Sequence, residues 1–344
     1  MINTLINEMS FFLPLPHLFL AFISFSVIFF GEKIARTFNI IDYPDNIRKT
    51  HDRPTAQLGG IILFCYIIPA HFIEFFFFKN TYGLKYFSIT LIIYLVFFLV
   101  GLRDDQKSMS PTTKIWILVT TLFITLPTFQ SLIIDKIAFK NLSYVINLHG
   151  ASIYFTIFAI FALYNALNFA DGSNGVAGSL GIFWILFLII KSNNFSNFYY
   201  QAILFSLLIV LYFNVKKKLF LGNSGSGLLS SIIALLLIKE YKNNNLFCDE
   251  IFLILFLPGI DMIRITFQRM SGGFSPFSAD KQHFHHYLEK ITFIKKKFVF
   301  LIYITLSILP IFIYTYLSKN FYLVSVVCIT TYFVIFFLLK KKSI

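Results

Sequence analysis

Apolar stretches close to bilayer length recur about every thirty residues through this chain of 344 residues. A helix crosses the hydrocarbon core in about 20 residues. Eleven segments meet that description: 10–30, 57–78, 84–102, 115–134, 151–168, 175–190, 199–213, 219–238, 250–266, 298–318 and 320–339. Several are short, so a count of ten stays open. Their residues are apolar on all sides and do not alternate, which favours helices over a β-barrel. Charged residues make up 13% of the chain, about half the share usual in a soluble domain. The sequence therefore predicts an all-α polytopic membrane helix bundle, one integral membrane domain over 1–344. No short-residue cleavage site follows the first segment, so it reads as a retained helix and not a signal peptide.

Lysine and arginine set the orientation. With the N-terminus outside, the inner segments 31–56, 103–114, 215–218, 264–297 and 340–344 hold 21 of the 29 basic residues. The positive-inside rule then puts the C-terminus in the cytoplasm. That bias explains most of the formal charge of +13, with anionic lipid headgroups as its partner. The basic residues are scattered among loops, so no nucleic-acid face is formed. Cys65, Cys248 and Cys328 are isolated and suggest neither a disulfide framework nor a CxxC metal site.

On this topology the polar motifs all fall on the inner face. The first, RKTHDRPTAQLGG from Arg48 to Gly60, offers Lys49, His51 and two arginines to phosphate oxygens. Gly59 and Gly60 allow close helix approach, and a positive-inside anchor before a packing pair would explain the same residues. The second holds Asp104 and Asp105 at the mouth of an oily run, with Lys114 further on. Adjacent carboxylates repel, so something cationic should offset them. They suit a divalent cation, a proton acceptor or one of each. The plain reading is a solvated helix cap balanced by Arg103 and Lys107.

The third motif is NALNFADGSNGVAG, Asn165 to Gly178. Asn165 and Asn168 share a helix face, with Asp171 about one turn beyond. Polar groups at this depth cost more than apolar ones would. Asp171, Gly172 and Gly175 imply a tight turn that a ligand can approach; an amide network between helices is the structural alternative. The fourth, LFLGNSGSGLLS, follows Lys216 to Lys218. Its Gly-Asn-Ser-Gly-Ser opens a helix and offers N–H groups to a phosphate, or simply packs closely. The last inner loop, 267–297, brings Asp280, His283, His285 and His286 within seven residues. Such a cluster binds metal, or grips phosphate and sugar hydroxyls. Asp261 is a weaker candidate, because pairing with Arg264 one turn on explains it as well. His17, His71, Glu74 and His149 read as structural.

Taken in order, Asp104-Asp105, NALNFADG, the FLG-SGS turn and ADKQHFHH resemble the polyprenyl-phosphate N-acetylhexosamine-1-phosphate transferases, glycosyltransferase family 4. That family starts lipid-linked O-antigen, enterobacterial common antigen, teichoic acid and peptidoglycan. The likeness runs from about Arg48 to Leu288. The histidine loop looks more like the undecaprenyl-phosphate GlcNAc-1-phosphate transferase branch than the peptidoglycan branch, which tends to carry three consecutive histidines. The resemblance implies transfer of a GlcNAc 1-phosphate, or a related amino-sugar phosphate, from a UDP-sugar to undecaprenyl phosphate in a bacterial inner membrane. It implies Mg²⁺ or Mn²⁺ as cofactor, membrane lipids around the chain, and a homodimer as one assembly open to it. By the same resemblance Asp104 orients or deprotonates the acceptor phosphate and Asp105 supports the metal region. Asp171, Asn165 and Asn168, beside Gly172, hold nucleotide or pyrophosphate, and Phe220 stacks on uracil. Asp280, His283, His285 and His286 bind the sugar-phosphate end, with Lys49, His51 and Lys114 as further phosphate contacts.

Two positions depart from the family pattern. Asn223 stands where the family carries an aspartate that ligates Mg²⁺, and Asn174 where a second, more variable aspartate occurs. An amide oxygen still ligates Mg²⁺ but brings no charge, so the metal set is expected to be Asn223, Asp105 and Asp171. Three rival readings follow. A catalytically silent member would serve as a binding or assembly partner. A transporter would put its polar residues near the membrane midplane. A di-iron oxidase would need several histidine boxes, and the chain has one.

Overall fold

The computed structural model describes residues 14–44, 53–78, 83–141, 145–277, 280–291 and 296–342. Within them the helices are α1 (Pro14–Phe29), α2 (Gly31–Thr37), α3 (Gly59–Phe77), α4 (Gly83–Gln106), α5 (Pro111–Thr125), α6 (Ser152–Ala170), α7 (Val176–Ser192), α8 (Phe198–Val215), α9 (Gly222–Lys242), α10 (Cys248–Ile254), α11 (Phe256–Ser271), α12 (Phe284–Glu289), α13 (Val299–Phe312) and α14 (Phe321–Lys342). Two antiparallel ribbons join them. In one, β1 (Ile41–Asp42) pairs with β2 (Thr55–Ala56), Ile41 opposite Ala56. In the other, β3 (Lys136–Ala138) pairs with β4 (Val145–Asn147), Ile137 opposite Ile146. The chain is an all-α polytopic membrane protein.

Every apolar segment contains a helix, but the segments are not eleven equivalent crossings. Among the described residues seven helices are long and apolar enough to span: α3, α4, α6 with its leading turn, α8, α9, α13 with the π-helical turn after it, and α14. Helices α1 and α2 meet the test only as a pair, bent by 70°. Helix α7 is a shorter apolar helix. The 115–134 segment leaves α5 for 3-10 turns, the first of which contains Pro127. The 250–266 segment breaks at Leu255, between α10 and α11. Pro258 has no N–H to give the carbonyl of Ile254, so the ladder cannot run on unbroken.

Helix α9 is the centre of the bundle. Its apolar window is 89% buried, against 33% for α14. Small residues open it, and they let neighbours touch its backbone. A Cβ on Gly60 of α3 would collide with Ser224 and Gly225, and one on Gly101 of α4 with the Asn223 backbone. The free N–H groups of the α3 N-terminus are tied into the same contact. Gly59 and Gly60 each donate at 2.9 Å, to the carbonyls of Phe220 and Leu221, and Phe220 N–H donates to Ala56. The glycine pair is thus a packing device, while Lys49 and His51 lie outside the described residues.

Polar ties also brace the opposite end. Buried Glu250 holds Lys191 at 2.5 Å and Lys140 at 2.9 Å, and buried Asp249 accepts from Tyr314. Glu240 accepts from Tyr200 and Asn245, at 2.6 Å each. Deeper in the bundle His71 pairs with Thr90 at 3.0 Å, and Glu74 accepts from Asn197 at 3.0 Å.

Candidate active site

The two aspartates at the end of α4 find different partners. Asp104 pairs with Lys114 Nζ at 2.9 Å and accepts the Met109 N–H at 2.7 Å. Its balance therefore comes from α5 and not from Arg103 or Lys107. Asp105 points the other way, into the N-terminus of α9. Its Oδ1 accepts from Asn223 N (2.8 Å) and Nδ2 (3.0 Å), its Oδ2 from Ser224 N (2.9 Å) and Oγ (2.7 Å). Helix N-termini attract negative charge through free N–H groups and the helix dipole. The Gly-Asn-Ser-Gly-Ser turn expected to cradle a phosphate instead cradles the carboxylate of Asp105.

The turn after α6 lies beside this contact. Asn168 donates to Asn223 Oδ1 at 2.8 Å and to Ser226 Oγ at 3.2 Å, so the Asn223 amide is held on both sides. Asn165 does not join it; its Nδ2 turns back to Phe161 O at 2.8 Å. Three residues subtend about 300° on a helix, enough offset to take Asn165 off the cavity wall. Asp171 accepts from the Gly222 backbone, and burial together with the charge of Asp105 raises its carboxyl well above the ordinary range. Gly175 opens α7 at φ 87°. Its N–H donates to Asn214 Oδ1 at 2.6 Å, while Asn214 Nδ2 donates to Leu219 O at 3.0 Å. One buried amide thus joins the Asp171 turn to the Phe220 loop.

The histidine loop closes the third side. His283 is buried, with Nδ1 3.1 Å from Asp261 Oδ2. Arg269 binds Asp280 at 2.8 Å, and this pairing outweighs burial to hold the Asp280 carboxyl below its ordinary value. His286 lies 3.8 Å from Glu289, which accepts from Ser173 at 2.5 Å. His285 differs from its neighbours. It is fully buried, neither ring nitrogen has a hydrogen-bond partner, and a Cβ on Gly172 would sit 2.5 Å from its Nε2. Burial above all pushes its pKa well below the usual value. His285 is therefore a neutral core ring beneath the Asp171 turn and not part of the cavity wall.

These elements enclose one cavity of about 930 Å³, at the upper end for small-molecule sites. Asp104, Asp105, Lys114, Asn168, Asp171, Gly172, Asn174, Phe220, Asn223, Asp280, His283 and His286 all line it. Asn165 and His285 do not. Sequence reasoning passed over Arg269, Asn214, Ser173 and Glu289, which line it too. The polar series Asp261, Arg264 and Gln268, at helical spacing before Arg269, was the signal available for α11. No three His, Cys, Asp or Glu side chains form a metal cage among the described residues. The donors present are hard oxygens, and burial first, then the charge of Asp105, raises the Asp171 carboxyl. Such a set fits an oxygen-seeking divalent ion that keeps waters and takes further ligands from substrate phosphates.

Membrane-length helices around a polar cavity define a membrane-embedded protein with one built site. The glycosyl transferase family 4 model matches residues 86–240. The undecaprenyl-phosphate alpha-N-acetylglucosaminyl 1-phosphate transferase of Pasteurella multocida is 31% identical over 275 residues, 76% of this chain and 75% of that protein. Proteins of the same name match at 26% in Salmonella typhi and 25% in Escherichia coli K12, each over 82% of this chain and 78% of theirs. The chain belongs to glycosyl transferase family 4.

Proposed function

We propose that this enzyme transfers an N-acetylhexosamine 1-phosphate from a UDP-sugar to a polyprenyl phosphate, undecaprenyl phosphate by the name of its relatives. A phosphate oxygen of the lipid attacks the β-phosphorus of the donor. The bond to the α-phosphate bridging oxygen breaks, UMP leaves, and the lipid carries the sugar as a diphosphate. One observation carries this reading: Asp104 and the histidine loop, far apart in the chain, line one cavity at one end of a membrane bundle. A lipid phosphate and a water-soluble donor can meet only at that level.

Asp104, steadied by Lys114, would orient or deprotonate the acceptor phosphate. Asn168, Asp171, Gly172 and Asn174 would line the nucleotide and pyrophosphate, with Phe220 against uracil. Asp280, His283, His286 and Arg269 would face the sugar-phosphate end. Mg²⁺ (or Mn²⁺), held by Asp171 with Asp105 and the Asn223 carbonyl nearby, would offset phosphate charge. The side chains supply the rest of that balance, since six lysines and arginines line the cavity. The positive-inside bias supports a cytoplasmic cavity in an inner membrane.

Asn223 motivates the second reading, a silent family member acting as a partner. The deciding experiment incubates membranes with labelled UDP-amino sugars, undecaprenyl phosphate and Mg²⁺, following organic-extractable label and UMP. Label is expected in lipid, and is lost in Asp104→Asn and Asp171→Asn. Turnover only after Asn223→Asp would favour the silent partner instead.

A further inference from the structure

Helix α11 carries a buried carboxylate that this reaction does not use. Asp261 Oδ1 accepts from Arg264 at 2.7 Å and from Tyr332 at 2.9 Å, and its Oδ2 faces His283 Nδ1 at 3.1 Å. The Phe284 N–H lies 3.2 Å from both oxygens. Across the ring, His283 Nε2 faces an Arg269 amino group at 3.4 Å. Arginine has only donors, so Nε2 presents its lone pair and the ring proton sits on Nδ1, towards Asp261. Arg269 is held further by Asp280, by the Pro276 carbonyl at 2.6 Å, and over the Phe169 ring. Among the described residues three of its five N–H groups are so engaged, and the residue lines the cavity.

We propose that Asp261 is a positioning residue for donor phosphate binding: through the His283 ring it sets the direction of the bond to Arg269, and so where the guanidinium stands. The proposal rests on the transferase reading above. In this arrangement His283 is a spacer with both nitrogens engaged, and not a free acid or base. Asp261 has its own counter-ion in Arg264, so the ring is not there to neutralise it. A simple anchor for the loop would need only the Phe284 N–H.

Asp261→Asn separates the two roles. Its carbonyl keeps Arg264 and Tyr332, while its amide N–H₂ turns on His283 Nδ1. The ring must then carry its proton on Nε2, where it meets the donors of Arg269. With UDP-GlcNAc as probe, KM for the donor should rise about tenfold while KM for undecaprenyl phosphate barely moves, since a charge-assisted bond to phosphate is misplaced. An anchor would lower the yield of folded enzyme and leave the donor KM alone. His283→Gln can donate to Asp261 and accept from Arg269, so its donor KM should rise several-fold less than that of His283→Ala. That pair decides the matter even if Asp261→Asn fails to accumulate. Without substrate, thermal unfolding of Asp261→Asn, Arg269→Gln and the double variant should be non-additive, because glutamine at 269 accepts from the inverted ring. Additive shifts, or a donor KM unchanged by Asp261→Asn, overturn the proposal. If the parent makes no lipid-linked product from any UDP-sugar, the transferase reading fails, and the thermal cycle still judges the relay.

Discussion

Replacing Asn223 by aspartate turns a donor into an acceptor at the most crowded point of the site. The Asn223 amide donates to Asp105 Oδ1 at 3.0 Å. In Asn223→Asp two carboxylates would meet at that distance. Their repulsion is about 5 kcal/mol at an effective dielectric of about 20. A charge-assisted hydrogen bond worth about 1.5–3 kcal/mol is lost as well. Rotation towards the cavity and screening by water reduce the total to roughly 2 kcal/mol, a drop of a few degrees in Tm. A divalent ion shared by the two carboxylates should reverse that drop. The assay is thermal unfolding of purified protein in detergent, with chelator and then with Mg²⁺, beside the lipid-labelling assay. The parent should respond weakly to Mg²⁺ and the variant strongly, with labelling at or above the parent's. A variant as stable as the parent in chelator would refute the electrostatic reasoning.

Other perturbations bear on the same site. Asp171 has a raised pKa, from burial first and the Asp105 charge second. A raised acid lends stability below its ordinary value and loses it as pH rises through the folded one. In chelator at neutral pH, Asp171→Asn should therefore unfold at a higher temperature than the parent while making no lipid-linked product; a lower Tm would contradict this. Asn214→Ala leaves the Gly175 N–H and the Leu219 carbonyl without partners, a cost of about 2–4 kcal/mol, read as a lower Tm together with a weaker donor KM. Burial raises the Glu289 carboxyl, but His286 and Ser173 outweigh it and the net shift is downward. A depressed acid lends stability above its ordinary value and loses it as pH falls through the folded one. Pepsin should nick the histidine loop of the parent only in strong acid. Glu289→Gln, with no charge to lose there, should show no such threshold, and identical nicking curves would remove the clamp from the account.

The class of fold was legible because burial in lipid leaves one broad option: long apolar runs must satisfy their own backbone, and helices do. The composition of the cavity was largely legible too, since polar residues at the ends of oily segments are costly without a use. Direction was not legible. Asp104 and Asp105 are adjacent in sequence, yet one faces Lys114 and the other the α9 N-terminus, because successive helical residues stand about 100° apart. His285 reads like its neighbours but lies beneath Gly172, and Asn165 reads like Asn168 but bonds its own helix. Arg269, Asn214 and Glu289 gain their meaning only from partners brought in by loops and turns distant from them or outside their own helix. The pattern of apolar and polar residues determined a membrane bundle with its chemistry at one end. Which donor meets which acceptor, and how far each crossing runs before a proline or a bend breaks it, was decided by packing around α9, whose small residues let α3 and α4 press their backbones against the site.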